Sequence, residues 1–274
     1  MQESRGMIGS SRGLRDRYLV NKRLLSSLGL HGYFTFRRHQ RLLFSGKRRG
    51  SAPVELVSKR ASYPLSCRPG TSDVWVFMQI FVDLEYSCFD SLEGGGLVID
   101  CGANVGYSSA YFLTRFPRCE VVAIEPDPEN YAMLVRNLAP YGARAKTIRG
   151  GVWSHQTSLK LVAQAYRDGS EWTRQVVECP PDEGDSLPAT SIGDVLRESG
   201  RDRIFVLKMD IEGAEGVVFA KGFEPWLDRT DNLAIELHDD STFGCCSEVF
   251  HRAIAGKPFR VSRSGELTVC QRPG

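Results

Sequence analysis

Residues able to bind and move charge gather at two kinds of place in this chain. One is a glycine loop with an acid before it and an acid after it, and the other is the ends of two later apolar runs. Leu97 to Ile99 is a short apolar run without alternation, as in a strand covered on both faces. Asp100 follows it, and Cys101-Gly102-Ala103-Asn104-Val105-Gly106 leads into a helical pattern over 108–116 that Pro117 helps to end. Gly102 and Gly106 permit a tight turn and a close approach of backbone to ligand. The loop's N–H groups then sit at a helix N-terminus, which suits a negatively charged or carboxylate-bearing ligand. A second apolar run, Val121-Val122-Ala123-Ile124, ends in Glu125-Pro126, where a carboxylate can accept both hydroxyls of a ribose. The dinucleotide fingerprint G-x-G-x-x-G needs a middle glycine, and Asn104 stands there. Asp100 would repel a pyrophosphate but could pair with the ammonium of a methionine moiety. The loop therefore points to S-adenosylmethionine, with Asp100, Gly102, Ala103, Asn104, Gly106, Ser108, Glu125 and Pro126 as the binding set. The plainer reading makes Asp100 a helix cap and Glu125 a solvated strand end. Against it, both acids fall at the carboxyl ends of adjacent strands, where such folds bind ligands.

Two further clusters follow later strands. Asp210, Glu212 and Glu215 come after 204–209, and Glu236, His238, Asp239 and Asp240 come at or after the end of 232–237. In a parallel sheet both open toward the edge that carries the glycine loop. Methyl transfer from a sulfonium is an in-line displacement on carbon, so alignment supplies much of the acceleration. A base acting on an alcohol adds roughly 10²–10⁴-fold. Asp210 is expected over the methyl group, in contact with cofactor and acceptor, with Lys208 on the same side of its strand to lower its pKa. His238 is the natural proton acceptor; the alternative is a surface histidine held by Asp239 or Asp240. Glu215 either serves the site or caps its helix. Asp210, Glu236 and His238 would also suit Mg²⁺, Mn²⁺ or Fe²⁺, but no metal is assigned from sequence.

At these residues the chain resembles the FkbM-type S-adenosylmethionine-dependent methyltransferases, which have the class I methyltransferase fold. The matching stretches are Val98 to Ser108, then Ala123-Ile124-Glu125-Pro126-Asp127 with Asn130, Leu134 and Asn137-Leu138. Val152-Trp153-Ser154, Leu207 to Glu215 and Ile235-Glu236-Leu237-His238 complete them. The resemblance runs from about Asp73 to the C-terminus. Its most specific block is Lys208-Met209-Asp210-Ile211-Glu212-Gly213-Ala214-Glu215, since class I methyltransferases share the glycine loop. It implies catalytic roles for Glu236 and His238 beside Asp210. Val152 and Trp153 would lie beside the adenine, where Trp153 either stacks on the base or is a core aromatic. Glu85 and Tyr86 would lie near the cofactor cleft, or else cap and solvate their helix. Trp172 is a candidate wall of the acceptor pocket. Known members mostly methylate hydroxyls of sugars or polyketide-type products. The expected activity is thus O-methylation of a sugar, glycolipid or secondary metabolite, a small-molecule or glycan acceptor.

The elements that must position these residues alternate. Strands are expected at 97–100, 120–125, 145–149, 157–162, 204–209 and 232–237, and helices at 106–116, 128–138, 191–199 and 214–220. This is an α/β, Rossmann-like, doubly wound and mostly parallel sheet. The C-terminal part adds a helix and strands at 259–261 and 266–270, antiparallel by the resemblance. Asp73 to Tyr86 reads as one apolar helix leading into the first strand. Residues 73–274 would form the methyltransferase domain and 1–72 a basic N-terminal extension. Within the extension, 1–13 reads as disordered, 14–43 as helical with breaks at Gly29 and Gly32, and 45–72 as linker and turns.

Charge is unevenly spread. Residues 1–60 hold 14 Lys and Arg against 3 Asp and Glu, which leaves −9 on the remainder of a chain whose net charge is +2. A basic amphipathic helix over 14–44 can lie on an anionic membrane, or simply pack on the domain with its charges solvated. Nucleic acid is not expected, for want of any motif or basic–aromatic interleaving in the main domain. Eight cysteines without a C-x-x-C pair read as reduced thiols of a cytoplasmic protein. No apolar run is long enough to span a bilayer. Three alternatives remain open: an N-methyltransferase of the same fold, an NAD-dependent oxidoreductase, and a non-catalytic protein that keeps the cofactor fold.

Overall fold

The computed structural model describes residues 14–45, 51–162, 175–241 and 243–273. Trp172 and the stretch 1–13 lie outside them. The chain opens with helix α1 (Leu14–Leu43), interrupted at Gly29, which has φ 74° and ψ 176°. Gly32 does not break the helix; it lies against the backbone of Val57, where a Cβ would meet the Val57 carbonyl oxygen at 2.4 Å. The stretch read as linker contains an antiparallel hairpin, β1 (Val54–Leu56) with β2 (Leu65–Cys67). Leu56, Leu65 and Cys67 anchor that hairpin in the core, a tertiary contact that turn residues alone do not announce.

Helix α2 (Asp73–Phe81) is shorter than the sequence suggests. Leu84 takes a left-handed φ of 61°, and a 3₁₀ turn follows over Glu85–Phe89. The central strands then come in order: β3 (Leu97–Cys101), α3 (Tyr107–Arg115), β4 (Glu120–Glu125), α4 (Pro128–Leu138) and β5 (Ala145–Arg149). Asp127 caps α4, its side chain accepting from the N–H groups of Glu129 and Asn130, with Pro128 in the first turn. A side sheet of β6 (Gly151–Val152), β7 (Ser158–Leu161), β8 (Val176–Cys179) and β9 (Leu187–Thr190) follows, in the order β6-β9-β7-β8. Next come α5 (Ile192–Ser199), β10 (Ile204–Met209), the short α6 (Glu215–Val218) and α7 (Glu224–Leu227), and β11 (Thr230–Ile235). Helix α8 (Cys246–Ile254) and the hairpin β12 (Arg260–Ser264) with β13 (Leu267–Gln271) complete the fold.

The main sheet has seven strands in the order β12-β13-β11-β10-β3-β4-β5. The five from β11 to β5 are parallel, while β13 runs antiparallel to both β11 and β12. This is the doubly wound α/β arrangement with antiparallel C-terminal strands. The central strands are covered on both faces, and their residues alternate between two cores. Val98, Val121 and Val206 face the side covered by α2, α3 and α4. Leu97, Ile99, Val122, Leu207 and Leu233 face the side covered by α5, α7 and α8. Leu24, Leu28, Phe36 and Leu43 of α1 belong to the same buried cluster as Phe77 and Phe112. The chain leaves β3 toward β4 and β5, then returns to pair β10 on β3's other edge. The carboxyl ends of β3 and β10 therefore form the crevice where open α/β sheets bind ligands. All eight cysteines are free thiols. No helix among the described residues is long and apolar enough to cross a membrane.

Candidate active site

A cleft opens at that crevice. Gly102, Ala103, Asn104 and Ser108 form one wall, with Glu125, Pro126 and Asn130 beside them. Asp210, Ile211 and Glu212 after β10, and Glu236 after β11, form the floor and the far side. Gln79, Ile80, Glu85 and Tyr86 close it from α2 and the 3₁₀ turn. Backbone strain concentrates here: Asn104, Glu212 and Leu84 have φ of 50°, 55° and 61°. Asparagine tolerates that region, whereas glutamate and leucine adopt it only where surrounding structure holds them.

The glycine loop is pinned from both sides. The Asp210 N–H donates to the Cys101 carbonyl at 3.1 Å. The Lys208 ammonium donates to the Gly102 carbonyl at 2.6 Å and to that of Cys101 at 3.3 Å. Lys208 is buried between Asp100 at 3.4 Å and Asp210 at 3.9 Å. Burial disfavours its charge, but these two acids outweigh that and raise its pKa. Glu125 holds the loop from the other strand, accepting from the N–H of Asn104 at 2.8 Å and of Asp127 at 2.9 Å.

Several expected contacts fall elsewhere. Asp100 is fully buried beneath the loop, not on the cleft wall, and accepts from the Ser108 and Ser109 hydroxyls at 2.6 Å each. Both serines bond Oδ2 and fix the start of α3, while Oδ1 faces the buried Lys208 ammonium at 3.4 Å, so burial and the lysine, rather than a ligand ammonium, surround the carboxylate. Gly106 does not reach the cleft; it packs on α4, where a Cβ would meet Leu134 Cδ1 at 2.8 Å. Val152 lies in the sheet core. Trp153 belongs to a side core with Leu159, Val176 and Leu187, its ring edge-on to Phe243 at 5.6 Å. That is the core-aromatic alternative.

His238 is the largest correction. It is 1% exposed and lies behind the acids. Its Nδ1 is 3.0 Å from Glu215 Oε1, which also accepts from the Ile211 N–H at 2.9 Å. Its Nε2 faces Glu236 at 3.5 Å, Glu212 at 3.6 Å and Asp210 at 3.8 Å. Burial would lower its pKa, but the hydrogen bond to Glu215 and the carboxylates of Glu236 and Asp210 push it up to about 12. The surrounding carboxylates favour the imidazolium form of this ring, which cannot accept a proton. Two other groups are better placed. Burial and the nearby Asp210 raise the Glu236 carboxyl. Burial lifts Glu85 to about 7 despite its 2.6 Å hydrogen bond from Gln79.

Glu266 also lines the cleft and was not anticipated. Topology alone could have found it. An antiparallel strand beside β11 starts where β11 ends, so the turn before β13 must reach the cleft edge.

The model for the methyltransferase FkbM domain matches residues 100–255. The methyltransferase sdnD of Sordaria araneosa is 28% identical over 198 residues, 61% of this chain and 75% of that protein. Methyltransferase 1 of Beauveria bassiana is 24% identical over 192 residues, 60% of this chain and 73% of its own length. Among solved structures, an rRNA methylase from Streptococcus thermophilus superposes with a TM-score of 0.41 at 12% identity, over 70% of this chain and 96% of that one.

Proposed function

The chain belongs to the FkbM methyltransferase family, and from that premise we propose that it is an S-adenosylmethionine-dependent O-methyltransferase acting on a hydroxyl of a small molecule or glycan. The carrying observation is the charge of the cleft. Among the described residues Glu85, Glu125, Asp210, Glu212, Glu236 and Glu266 line it, against Lys208 as the one lining cation. A pyrophosphate would be repelled there, whereas a ligand bearing a sulfonium and an ammonium would be attracted. This disfavours the oxidoreductase reading on grounds independent of Asn104.

Glu125 binds in this reading through the lone pairs its two backbone bonds leave, which face the ribose hydroxyls. Asn104 and Ala103 offer backbone at the loop. Asp210, Glu212 and Glu236 stand across the cleft, where the methionine end and the acceptor would meet. When bound, S-adenosylmethionine would supply an electrophilic methyl carbon to the acceptor oxygen and leave as the neutral thioether, and the hydroxyl proton would pass to a carboxylate of the protein. Glu236 and Glu85 are the proton acceptors that face the cleft. His238 instead holds Glu236 and Asp210 in place by charge.

The acid lining also supports methylation of an amine, the second reading. Calorimetric titration with S-adenosylmethionine, S-adenosylhomocysteine and NAD tests the cofactor, with binding of the first two and not the third expected. A screen with labelled methyl donor then identifies the acceptor. With that acceptor, Glu236→Gln is expected to lower kcat by roughly 10²–10⁴-fold while S-adenosylhomocysteine affinity holds. NAD as the sole ligand would overturn the assignment, and an amine as the sole acceptor would select the second reading.

A further inference from the structure

We propose that the carboxylates of Asp210 and Glu236 and the Nε2 of His238 form a binding site for one divalent cation of the Mn²⁺ type. One donor atom from each lies within 4.8 Å of the others. The Nε2 atom is buried and has no hydrogen-bond partner. Its three carboxylate neighbours, at 3.5 to 3.8 Å, are too far for an N–H···O bond. They are at the spacing of ligands that share an ion at about 2.1 Å. The ring's other nitrogen is fixed by Glu215 at 3.0 Å, and Glu215 is itself anchored on the Ile211 N–H. A carboxylate behind a histidine in this way is what orients a metal-ligating imidazole and sets its tautomer.

Two carboxylates and one imidazole match Mn²⁺ or Fe²⁺ better than softer ions. Asp210 Oδ1 faces the histidine while Oδ2 faces Lys208 at 3.9 Å, so the lysine sits on the far side of that carboxylate. The Asp210 and Glu236 side chains are 33% and 17% exposed, which gives an entry path and leaves positions open to the cleft. In the absence of an ion a proton occupies the same place on the ring, and the two compete for it. The cation would orient an acceptor hydroxyl and acidify it, a use that rests on the methyl-transfer reading; the site itself does not.

The test is titration of the chelator-stripped full chain with Mn²⁺, following loss of the free-ion electron paramagnetic resonance signal, with S-adenosylhomocysteine affinity measured on the same samples. Uptake of one Mn²⁺ per chain is expected, lost in Glu236→Gln and in Asp210→Asn variants whose circular dichroism is unchanged. No uptake at millimolar Mn²⁺, or uptake unaltered in both variants, would overturn the site. If S-adenosylhomocysteine binds and Mn²⁺ does not, the metal site fails alone; if neither binds, the cofactor reading falls with it.

A separate observation concerns α1. Tyr18, Leu19, Leu25, Leu30 and Phe34 are 64%, 47%, 40%, 69% and 65% exposed, five of the eight large apolar side chains exposed among the described residues. Beyond Gly29, Leu30 and Phe34 share one face with exposed Arg37, Arg38 and Arg41, at the spacing of a single helical stripe. No Asp or Glu occurs from residue 17 to 54. From this complementarity we infer that the stripe docks on an anionic lipid surface, apolar side chains inserted and arginines at the headgroups. Co-sedimentation with phosphatidylcholine vesicles, with and without phosphatidylglycerol, checks it. Binding is expected only with phosphatidylglycerol, weaker with added salt, and lost both in Leu30→Glu/Phe34→Glu and in Arg38→Glu/Arg41→Glu proteins that still bind S-adenosylhomocysteine. No sedimentation at low salt, binding retained in both variants, or a dimer covering the face in place of lipid would overturn the inference.

Discussion

Gly102→Ala is expected to cost about 3–5 kcal/mol of stability and to weaken S-adenosylhomocysteine binding by at least ~10²-fold. Gly102 has φ 74°, which already costs an L-residue about 1–2 kcal/mol. Its neighbour decides the rest. A Cβ there would lie 1.8 Å from the Asp210 carbonyl oxygen and 2.9 Å from the Asp210 carbonyl carbon. Both are backbone atoms, so no rotamer change relieves the overlap. The loops after β3 and β10 would have to part, breaking the Asp210 N–H to Cys101 bond and the Lys208 bond to Gly102. These are the contacts that set the glycine loop opposite the acids on the far side of the cleft. Gly200→Ala is the control, since Gly200 has a similar φ of 69° and nothing within 4 Å of its Cβ position. Thermal melts and calorimetry on both variants check the expectation. Equal, small losses would show that the two loops are not locked as the geometry implies.

Much of this arrangement was readable from residues alone. The strands at 97–101, 120–125 and 204–209 and the helix at 128–138 fall within a residue of the expected spans. They are apolar runs buried on both faces, or begin at an Asp-Pro cap, and such signals are local. The acid-bearing crevice followed from strand alternation and from the rule on carboxyl ends. What escaped was orientation. Asp100 was expected to face ligand, yet residue 100 alternates onto the face that α3 covers, and Ser108 and Ser109 take it. His238 was expected to accept a proton, but Glu215, from a different helix, turns it inward among carboxylates. The helix expected over 73–86 ends early because Leu84 turns left-handed, which swings Glu85 into the cleft. The serines that take Asp100 lie on the next helix, Glu215 lies 23 residues before His238, and the turn at Leu84 is a backbone conformation that the apolar pattern does not show.

The acids that escaped and the acids that were foreseen share one physical consequence: the cleft stores unfavourable charge until a cation enters it. Glu125 tests this most sharply. Its burial lifts the carboxyl to about 7, although the N–H groups of Asp127 and Asn104 pull it down. An acid whose folded pKa lies above its unfolded value of 4.5 favours the fold fully below that value. That contribution is lost as pH rises to about 7, and above this the ionised group carries a constant penalty of order 3 kcal/mol. Glu125→Gln removes the titration but leaves one of the two backbone N–H groups facing an amide, a cost of about 1–3 kcal/mol at every pH. The stability of the variant relative to the native chain should therefore improve by about 2–3 kcal/mol between pH 5 and pH 8, whatever its absolute value. Over the same range the native chain should gain S-adenosylmethionine affinity, because the ribose hydroxyls donate to the carboxylate. The variant should bind at least ~10²-fold more weakly at pH 8, having lost charge-assisted bonds of about 1.5–3 kcal/mol each. Denaturant unfolding and calorimetry at the two pH values measure both quantities. A variant that binds as tightly as the native chain at pH 8 would remove Glu125 from the ribose site. A relative stability flat in pH would show that its carboxyl is not strained by burial, and that the cleft does not favour a cation by the mechanism argued here.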